Sequence, residues 1–568
     1  MQPILFLFFR RLRWPLIVLV ITYAIAILGM VLIPGIDDQG NPWRMDFFHA
    51  FYFVSFMGST IGFGEIPYPF TDAQRMWTMV IIYATVVAWL YTIGSILGLF
   101  QDQGFRHVRQ FVRFTKAVQR LQSPFYIICG FTDAGRMLAH ELAHRGLICV
   151  LIDEDEANIQ KVQTDDLLSD NPALNGNAAD SETLLAAGLK LPMCRAVIAM
   201  TGTDKNNLTI AISSKLLAPK VQVICQSDTK DNAANMASFG TDHIVDPFDI
   251  FAKQFAMMFH SPSMYLINQW ITTPHGTQLS EFQKPPEGKW VLCGFGRFGK
   301  AVSKYLAEEK IETRIIEADV EMTEAPRDTI AARGTEADTL LEANITQAAG
   351  IIAGTDDDTN NLSIIITARD LNPSLFTVSR QNRHRNEAIF DAAKIDLIMQ
   401  TETITAQSIL SLIKAPLLND FFSMAYEENE TWANILLSRI LGLVEKRAPE
   451  TWELTISATE TPAVFTAFVE GQAPILKHLC TDPRDYQNPL PCIPLLLKQA
   501  EQSILLPEMD TPINIGDSLL FCGKYAALRN MQIVINDPQS MFYVRTGKEY
   551  AGGLFWQKIF GDQRDQVA

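Results

Sequence analysis

Histidine is scarce: the 568 residues include 9. Basic residues are outnumbered too, 47 Lys and Arg against 63 Asp and Glu, for a formal charge of -16. That balance argues against a nucleic-acid partner. No cysteine precedes residue 129, and none of Cys129, Cys149, Cys194, Cys225, Cys293, Cys480, Cys492 and Cys522 forms a CxxC pair. The spacing argues against disulfide frameworks and zinc sites and for reduced thiols in a core. No Ser/His/Asp or Cys/His arrangement stands out, so hydrolytic chemistry has no visible centre.

Charge is also missing from two long stretches. Residues 14–34 (WPLIVLVITYAIAILGMVLIP) and 76–100 (MWTMVIIYATVVAWLYTIGSILGLF) contain no Asp, Glu, Lys or Arg. Each is long enough to cross ~30 Å of hydrocarbon as a helix. The first is too long for a signal peptide and lacks a small-residue cleavage site. Arg10, Arg11 and Arg13 precede the first stretch, and Arg106, Arg109, Arg113, Lys116 and Arg120 follow the second. The connecting segment has Arg44 and Arg75 against five acids. The positive-inside rule then puts both termini in the cytoplasm of a multi-pass protein of the cell (inner) membrane.

Between the spans, residues 45–58 (MDFFHAFYFVSFMG) are apolar but too short to cross, as in a re-entrant helix. Ser59-Thr60-Ile61-Gly62-Phe63-Gly64-Glu65 follows directly. Irregular backbone at membrane depth survives only where it is buried or lines a wet cavity. Successive carbonyls point the same way only if positive φ recurs along the chain, which glycine reaches without a Cβ penalty. The Thr60 hydroxyl and the carbonyls of Thr60, Ile61, Gly62 and Phe63 would then replace the hydration shell of K+. One chain supplies one wall of such a pore, so four copies are needed. Thr60 to Glu65 resembles the TVGYGD signature of potassium channels, with Ile, Phe and Glu in place of Val, Tyr and Asp. Phe63 lacks the hydroxyl that the resemblance implies as a tether for the filter. The family's hinge glycine falls at Ala84, with Gly94 and Gly98 further along as gating or packing points. No span is rich in arginine, which argues against voltage sensing.

The rest of the chain repeats. FYIICGFTDAG (125–135) and KWVLCGFGRFG (289–299) each join an apolar strand to a helix through a glycine turn. A second strand follows each and ends in acid, Asp153 or Glu317, 23 residues after Gly130 or Gly294. Residues 197–219 match 351–373 at an offset of 154, as do 223 with 377 and 243 with 397. Strand and helix alternate, which predicts a doubly wound parallel sheet in each repeat. The second loop has the fuller dinucleotide pattern: Gly294, Phe295, Gly296, Arg297, Phe298 and Gly299 before a helix N-terminus. Glu317 would accept from a ribose 2′-OH and repel a 2′-phosphate, favouring NAD or ADP/ATP. Asp338 and Thr355 complete the candidate site. In the first repeat Gly130, Gly135 and Asp153 form a weaker one, because Thr132 replaces the middle glycine and Asp133 stands opposite Arg297 in the alignment.

The paired repeats resemble RCK domains, through the glycine loops, Asp153 and Glu317, GNAAD at 176, GTEAD at 334 and the two NNL stretches. The resemblance implies a two-span prokaryotic potassium channel with tandem RCK (TrkA-N/TrkA-C-like) domains. Its parts are an α-helical pore domain (1–105), a linker (106–123), a first Rossmann-like α/β domain (124–280), the N-terminal lobe of a second (285–425), an α+β C-terminal lobe (426–545) and a tail (546–568). Helices near 248–271 and 402–424 would hold the paired domains together. The implied assembly is a homotetramer in a lipid bilayer, gated by a small nucleotide. Calcium is a further implied ligand, but its positions read Met200, Gln226 and Asp228, and Gly354, Arg380 and Asn382. The run Asp356-Asp357-Asp358 reads better as a solvated or capping face. Two other functions fit less of the chain: a membrane-tethered NAD-dependent oxidoreductase, and a non-selective cation channel of the same architecture.

Overall fold

The computed structural model describes residues 2–548 apart from 274, 280, 281, 445, 446 and 501. The chain divides into two compact units, residues 1–120 and 121–568. The expected tail falls outside the described residues from 549 onward.

The first unit is helical. Helix α1 runs Gln2–Leu32 and α3 runs Asp72–Gln101. Their apolar stretches, Leu12–Leu32 and Asp72–Gly98, are long enough to cross a bilayer. Small residues let the helices approach. A Cβ on Gly29 would lie 2.1 Å from the Trp77 ring, and Trp77 Nε1 donates to the Ala26 carbonyl at 3.2 Å. Helix α2, Phe47–Gly58, is capped by Asp46, whose carboxylate accepts from the His49 N–H. It is held by a cluster that includes Ala26, Met30, Phe53, Val54 and Phe70. A Cβ on Gly58 would meet the Tyr23 hydroxyl at 2.5 Å, so this glycine fixes how closely α2 and α1 pack. The segment expected as a linker is largely helical: α4 spans Gln103–Gln119.

In the second unit each repeat forms a parallel sheet. The first has six strands, in spatial order Ala173–Asn175, Ile148–Asp153, Phe125–Cys129, Cys194–Ala199, Gln222–Gln226 and His243–Val245. The second has five, Thr313–Ile316, Trp290–Cys293, Gly350–Ala353, Phe376–Gln381 and Leu397–Gln400. A single parallel bridge from Ile316 to Ile330 stands where the first repeat has its outer strand. In both, the strand that precedes the glycine loop is interior and the order reverses beside it. That is the crevice position where doubly wound sheets bind ligands.

The repeats exchange helices. Pro247–His260 leaves the first repeat, and its Phe248, Phe251, Phe255 and Phe259 enter the core built around Trp290, Phe298 and Val302 of the second. Thr401–Lys414 leaves the second, and its Ala406, Ile409 and Leu410 enter the core around Leu138 and Leu142 of the first. Each repeat therefore covers the glycine-loop helix of the other, at the crossover positions expected from sequence. A third core follows, with the helix Glu430–Val444 against strands Cys492–Lys498 and Ser518–Gly523. These strands belong to a four-stranded antiparallel sheet, closed by helices Tyr525–Asn536 and Pro538–Thr546. All eight cysteines are buried and free. Burial pushes the Cys149 thiol up to about 12, which suits a packing role better than a reactive one.

Candidate ion path and nucleotide loops

Helix α2 ends by handing its last carbonyls to the loop: Thr60 N–H donates to Met57 O at 3.1 Å and Ile61 N–H to Phe56 O at 2.9 Å. Positive φ then recurs at every second residue: 62° at Thr60, 68° at Gly62 and 103° at Gly64. This is the backbone alternation that the glycine spacing predicts. Thr60 was not legible in that way, because a β-branched residue is strained at positive φ. Ile61 and Phe63 are largely exposed in the single chain. Phe63 stacks on Tyr52, with centroids 6.4 Å apart and planes at 14°, and meets Phe56 edge-on at 5.5 Å. Ring contacts with α2 thus stand where a tyrosine hydroxyl would have tied the loop.

Glu65, the acid that closes the signature stretch, has partners that its position in the sequence does not announce. Its carboxylate accepts from Arg75 Nε at 2.9 Å and Nη2 at 3.1 Å, and from the Phe70 N–H at 2.7 Å. This two-pronged ion pair anchors the end of the loop to the start of α3. The available signal was Arg75 itself, one of two cations in an otherwise acidic segment.

Ala84, Gly94 and Gly98 all lie within the unbroken helix α3. A Cβ at Gly94 or Gly98 would meet nothing within 4 Å among the described residues, so neither is a close-packing point against them.

The two glycine loops share a frame. Gly130 and Gly294 have φ of 101° and 96°. A Cβ on Gly135 would lie 2.2 Å from the Gly130 carbonyl oxygen, and one on Gly299 2.1 Å from that of Gly294. The acids turn inward in the same way. Asp153 Oδ2 accepts from the Phe131 N–H and Glu317 Oε2 from the Phe295 N–H, while their other oxygens accept from Asp155 and Asp319 N–H.

The middle position separates them. Thr132 caps its helix, its hydroxyl accepting from the Gly135 N–H at 3.3 Å. Gly296 provides no such cap, and a Cβ there would meet nothing within 4 Å. The helix Arg297–Glu308 therefore keeps its first N–H groups for an anion. Arg297 reaches across to the first repeat, Nη1 donating to Asp228 Oδ2 at 2.8 Å.

Thr355 and Asp338 are differently placed. The Thr355 hydroxyl donates to Asn361 Oδ1 at 2.7 Å, and Asn361 Nδ2 donates to the Arg380 carbonyl at 2.8 Å. Thr201 and Asn207 repeat this pattern in the first repeat. The second asparagine of each NNL stretch is thus a stitch between neighbouring strand ends. Asp338 is exposed in the first turn of Ala337–Glu342. A crevice of about 60 Å³ lies at the first loop, lined by residues including Gly130, Asp153, Gly176 and Thr201. That volume is far below the ~300–1,000 Å³ of a typical ligand pocket.

The acidic run divides by role. Asp356 is exposed, Asp357 caps its helix, and Asp358 is buried, its oxygens accepting from Asn382, Arg383 and Asn386. Among the described residues no group of three or more His, Cys, Asp or Glu is placed to hold a metal ion.

Comparison with known proteins agrees with this division of the chain. Residues 16–102 match the ion-channel family model, and residues 126–247 and 290–401 each match the TrkA-N domain. The chain is 26% identical over 243 residues to potassium channel protein 1 of Methanocaldococcus jannaschii, covering 42% of this chain and 70% of that one. It is 25% identical over 214 residues to the voltage-gated potassium channel Kch of Escherichia coli, covering 37% and 49%. Among solved structures, the GsuK channel bound to NAD aligns over 94% of this chain and 99% of its own, at 14% identity and a TM-score of 0.45. By its ion-channel domain and its two TrkA-N domains, the chain belongs with the prokaryotic potassium channels that carry RCK domains.

Proposed function

We propose that the chain is one of four identical subunits of a potassium-selective channel whose pore responds to a nucleotide of the NAD or ADP/ATP type. The carrying observation is the recurrence of positive φ at Thr60, Gly62 and Gly64 directly after α2. It turns successive carbonyls toward one side, as a dehydrated cation requires. A need for further copies is supported by apolar side chains such as Val20, Leu28, Val80 and Leu90, which remain exposed along α1 and α3. Lipid and neighbouring subunits would cover them. The charge pattern supports both termini in the cytoplasm, in the cell (inner) membrane.

The second glycine loop is the preferred nucleotide site, because Gly296 leaves the helix N-terminus uncapped. A ligand there shifts the pore only by its differential affinity for two arrangements of the cytosolic domains. Coupling of ~1–3 kcal/mol per site, summed over four sites, reaches the ~5.5 kcal/mol that converts a mostly closed population into a mostly open one.

The test is reconstitution in liposomes with single-channel recording. Reversal potentials in mixed K+ and Na+ should follow K+, and a reversal near zero would favour the non-selective channel. NAD, ADP, ATP and Ca2+ added to the cytosolic face should separate nucleotide from calcium control. Gly296→Trp should remove the nucleotide response and leave K+ flux intact. An unchanged response would move the site elsewhere. Transport rather than catalysis is our reading of the Rossmann-like folds, and steady nicotinamide reduction by the purified chain would sink it.

A further inference from the structure

Two arginines of the second repeat converge on one ring from the first. The guanidinium carbon of Arg297 lies 5.4 Å from the Phe248 centroid and that of Arg380 lies 4.7 Å from it. Arg297 is the first residue of the helix after Gly296. Arg380 sits near the end of the strand Phe376–Gln381, two places from the glycine-loop strand in the sheet. Phe248 begins the exchanged helix Pro247–His260 and is buried. The partners of the two arginines are unequal. Arg297 pairs with Asp228 at 2.8 Å. Arg380 Nε is buried with no hydrogen-bond partner among the described residues. Its charge is opposed first by burial and then by Arg297, with Asp356, Asp228 and Glu402 acting the other way.

Among the described residues, Asp228 is ion-paired with Arg297, and no ion-paired carboxylate is found on Arg380, in a partly dry cleft. Asp356 and Glu402 favour the Arg380 charge without bonding it, so a directly bonded anion there would be favourable. A pyrophosphate offers two anionic groups with oxygens spaced for paired guanidinium donors. The cluster also adjoins the uncapped N–H groups at Gly296.

We propose that Arg297 and Arg380 form a clamp for the pyrophosphate of a nucleotide seated on the loop Gly294–Gly299, and that Asp228 of the first repeat competes with that pyrophosphate for Arg297. This rests on the reading of the second loop as the nucleotide site. Binding then detaches the first repeat from the second at this contact. Occupancy of the loop becomes linked to the arrangement of the two repeats, which is the differential interaction that gating requires.

The experiment is calorimetric titration of the purified full-length protein in detergent with ADP and with NAD, each variant first checked by its melting curve. Asp228→Asn should tighten binding ~5-fold by removing the competitor, and Arg380→Gln should weaken it ~10-fold, the scale of a lost charge-assisted bond. A uniform field effect of Asp228 would give the same gain in any background, so the decisive variant is the double one. In Arg297→Gln the further change Asp228→Asn should bring no gain. Equal gains in both backgrounds, no gain in the wild type, or an unchanged affinity in Arg380→Gln each overturn the clamp. Nucleotide binding that Gly296→Trp abolishes but Asp228→Asn leaves unchanged sinks the clamp alone. Failure of the wild type to bind either probe sinks the loop reading and the clamp together.

Discussion

The two RCK repeats have the same frame and opposite chemistry at their shared cleft. Corresponding positions are Gly296 and Thr132, Arg297 and Asp133, Phe248 and Glu402, and Asp228 and Asn382. On one side Arg297 pairs with Asp228 over the Phe248 ring. On the other, Glu402 is pushed up chiefly by burial, with the Asp133 carboxylate adding to it and Arg380 opposing. Duplication kept the glycines and acids that shape each loop and let the residues around the helix N-termini diverge. Conformational constraints are therefore common to the repeats, whereas electrostatics belongs to one or the other.

The strongest way to break the comparison is at the crossover pair. Phe248 is 2% exposed and packs on Phe298 at 6.3 Å and under two guanidinium groups. Phe248→Ala should cost ~3–5 kcal/mol by transfer and cavity terms. Glu402→Ala, at the corresponding position, removes a half-buried carboxyl that repels Asp133 and should cost little or nothing. Melting curves of the full chain should show a large drop for the first and none for the second. Equal drops would mean that the two exchanged helices carry equal packing loads.

Next in size are the third glycines. In both repeats a Cβ would lie within 2.2 Å of a backbone carbonyl oxygen. Gly135→Ala and Gly299→Ala should each destabilise by ~1–3 kcal/mol through overpacking. The changes should be alike, because here the repeats are the same. A loss in one repeat alone would mean that the other loop yields to relieve the clash.

How legible was this from sequence? The glycine spacing carried the backbone of the loop after α2 and of both glycine loops because positive φ and close backbone approach are local demands on residue type. The offset of 154 carried both sheets, since a duplicated pattern implies a duplicated topology, and the resemblance to RCK domains implied the crossover helices. What escaped were long-range polar pairs. Arg75 meets Glu65 across the end of the loop after α2, and Arg297 meets Asp228 from 69 residues away. No local periodicity marks such partners. The bond from the Thr355 hydroxyl to Asn361 is of the same kind, because an NNL stretch reads the same whether it holds ligand or strand ends.

A smaller effect concerns pH. Burial raises Glu402 above the ordinary carboxylate value of ~4.3. Below that value both folded and unfolded chains hold the proton, so the favourable contribution is complete. As pH rises from there through the raised folded value, the unfolded chain releases its proton first, and stability falls. Glu402→Gln should flatten that part of the stability profile and raise the melting temperature at neutral pH. Phe248, its counterpart, has no charge to titrate. A profile unchanged by Glu402→Gln would place the pH-sensitive group elsewhere.

The smallest difference is also the most local. The Thr132 hydroxyl caps the helix Asp133–His144 through the Gly135 N–H, whereas Gly296 leaves its helix end without a side-chain cap. Thr132→Ala should cost ~1 kcal/mol, the usual value of a lost N-cap. Gly296→Thr should move the second repeat toward the first, adding a cap that competes with any phosphate for the same N–H groups. It should therefore cost nucleotide affinity without a matching loss in melting temperature. If Gly296→Thr bound ADP as well as the wild type does, the uncapped helix end would not be what distinguishes the second loop, and the contrast between the repeats would rest on Arg297 and Arg380 alone.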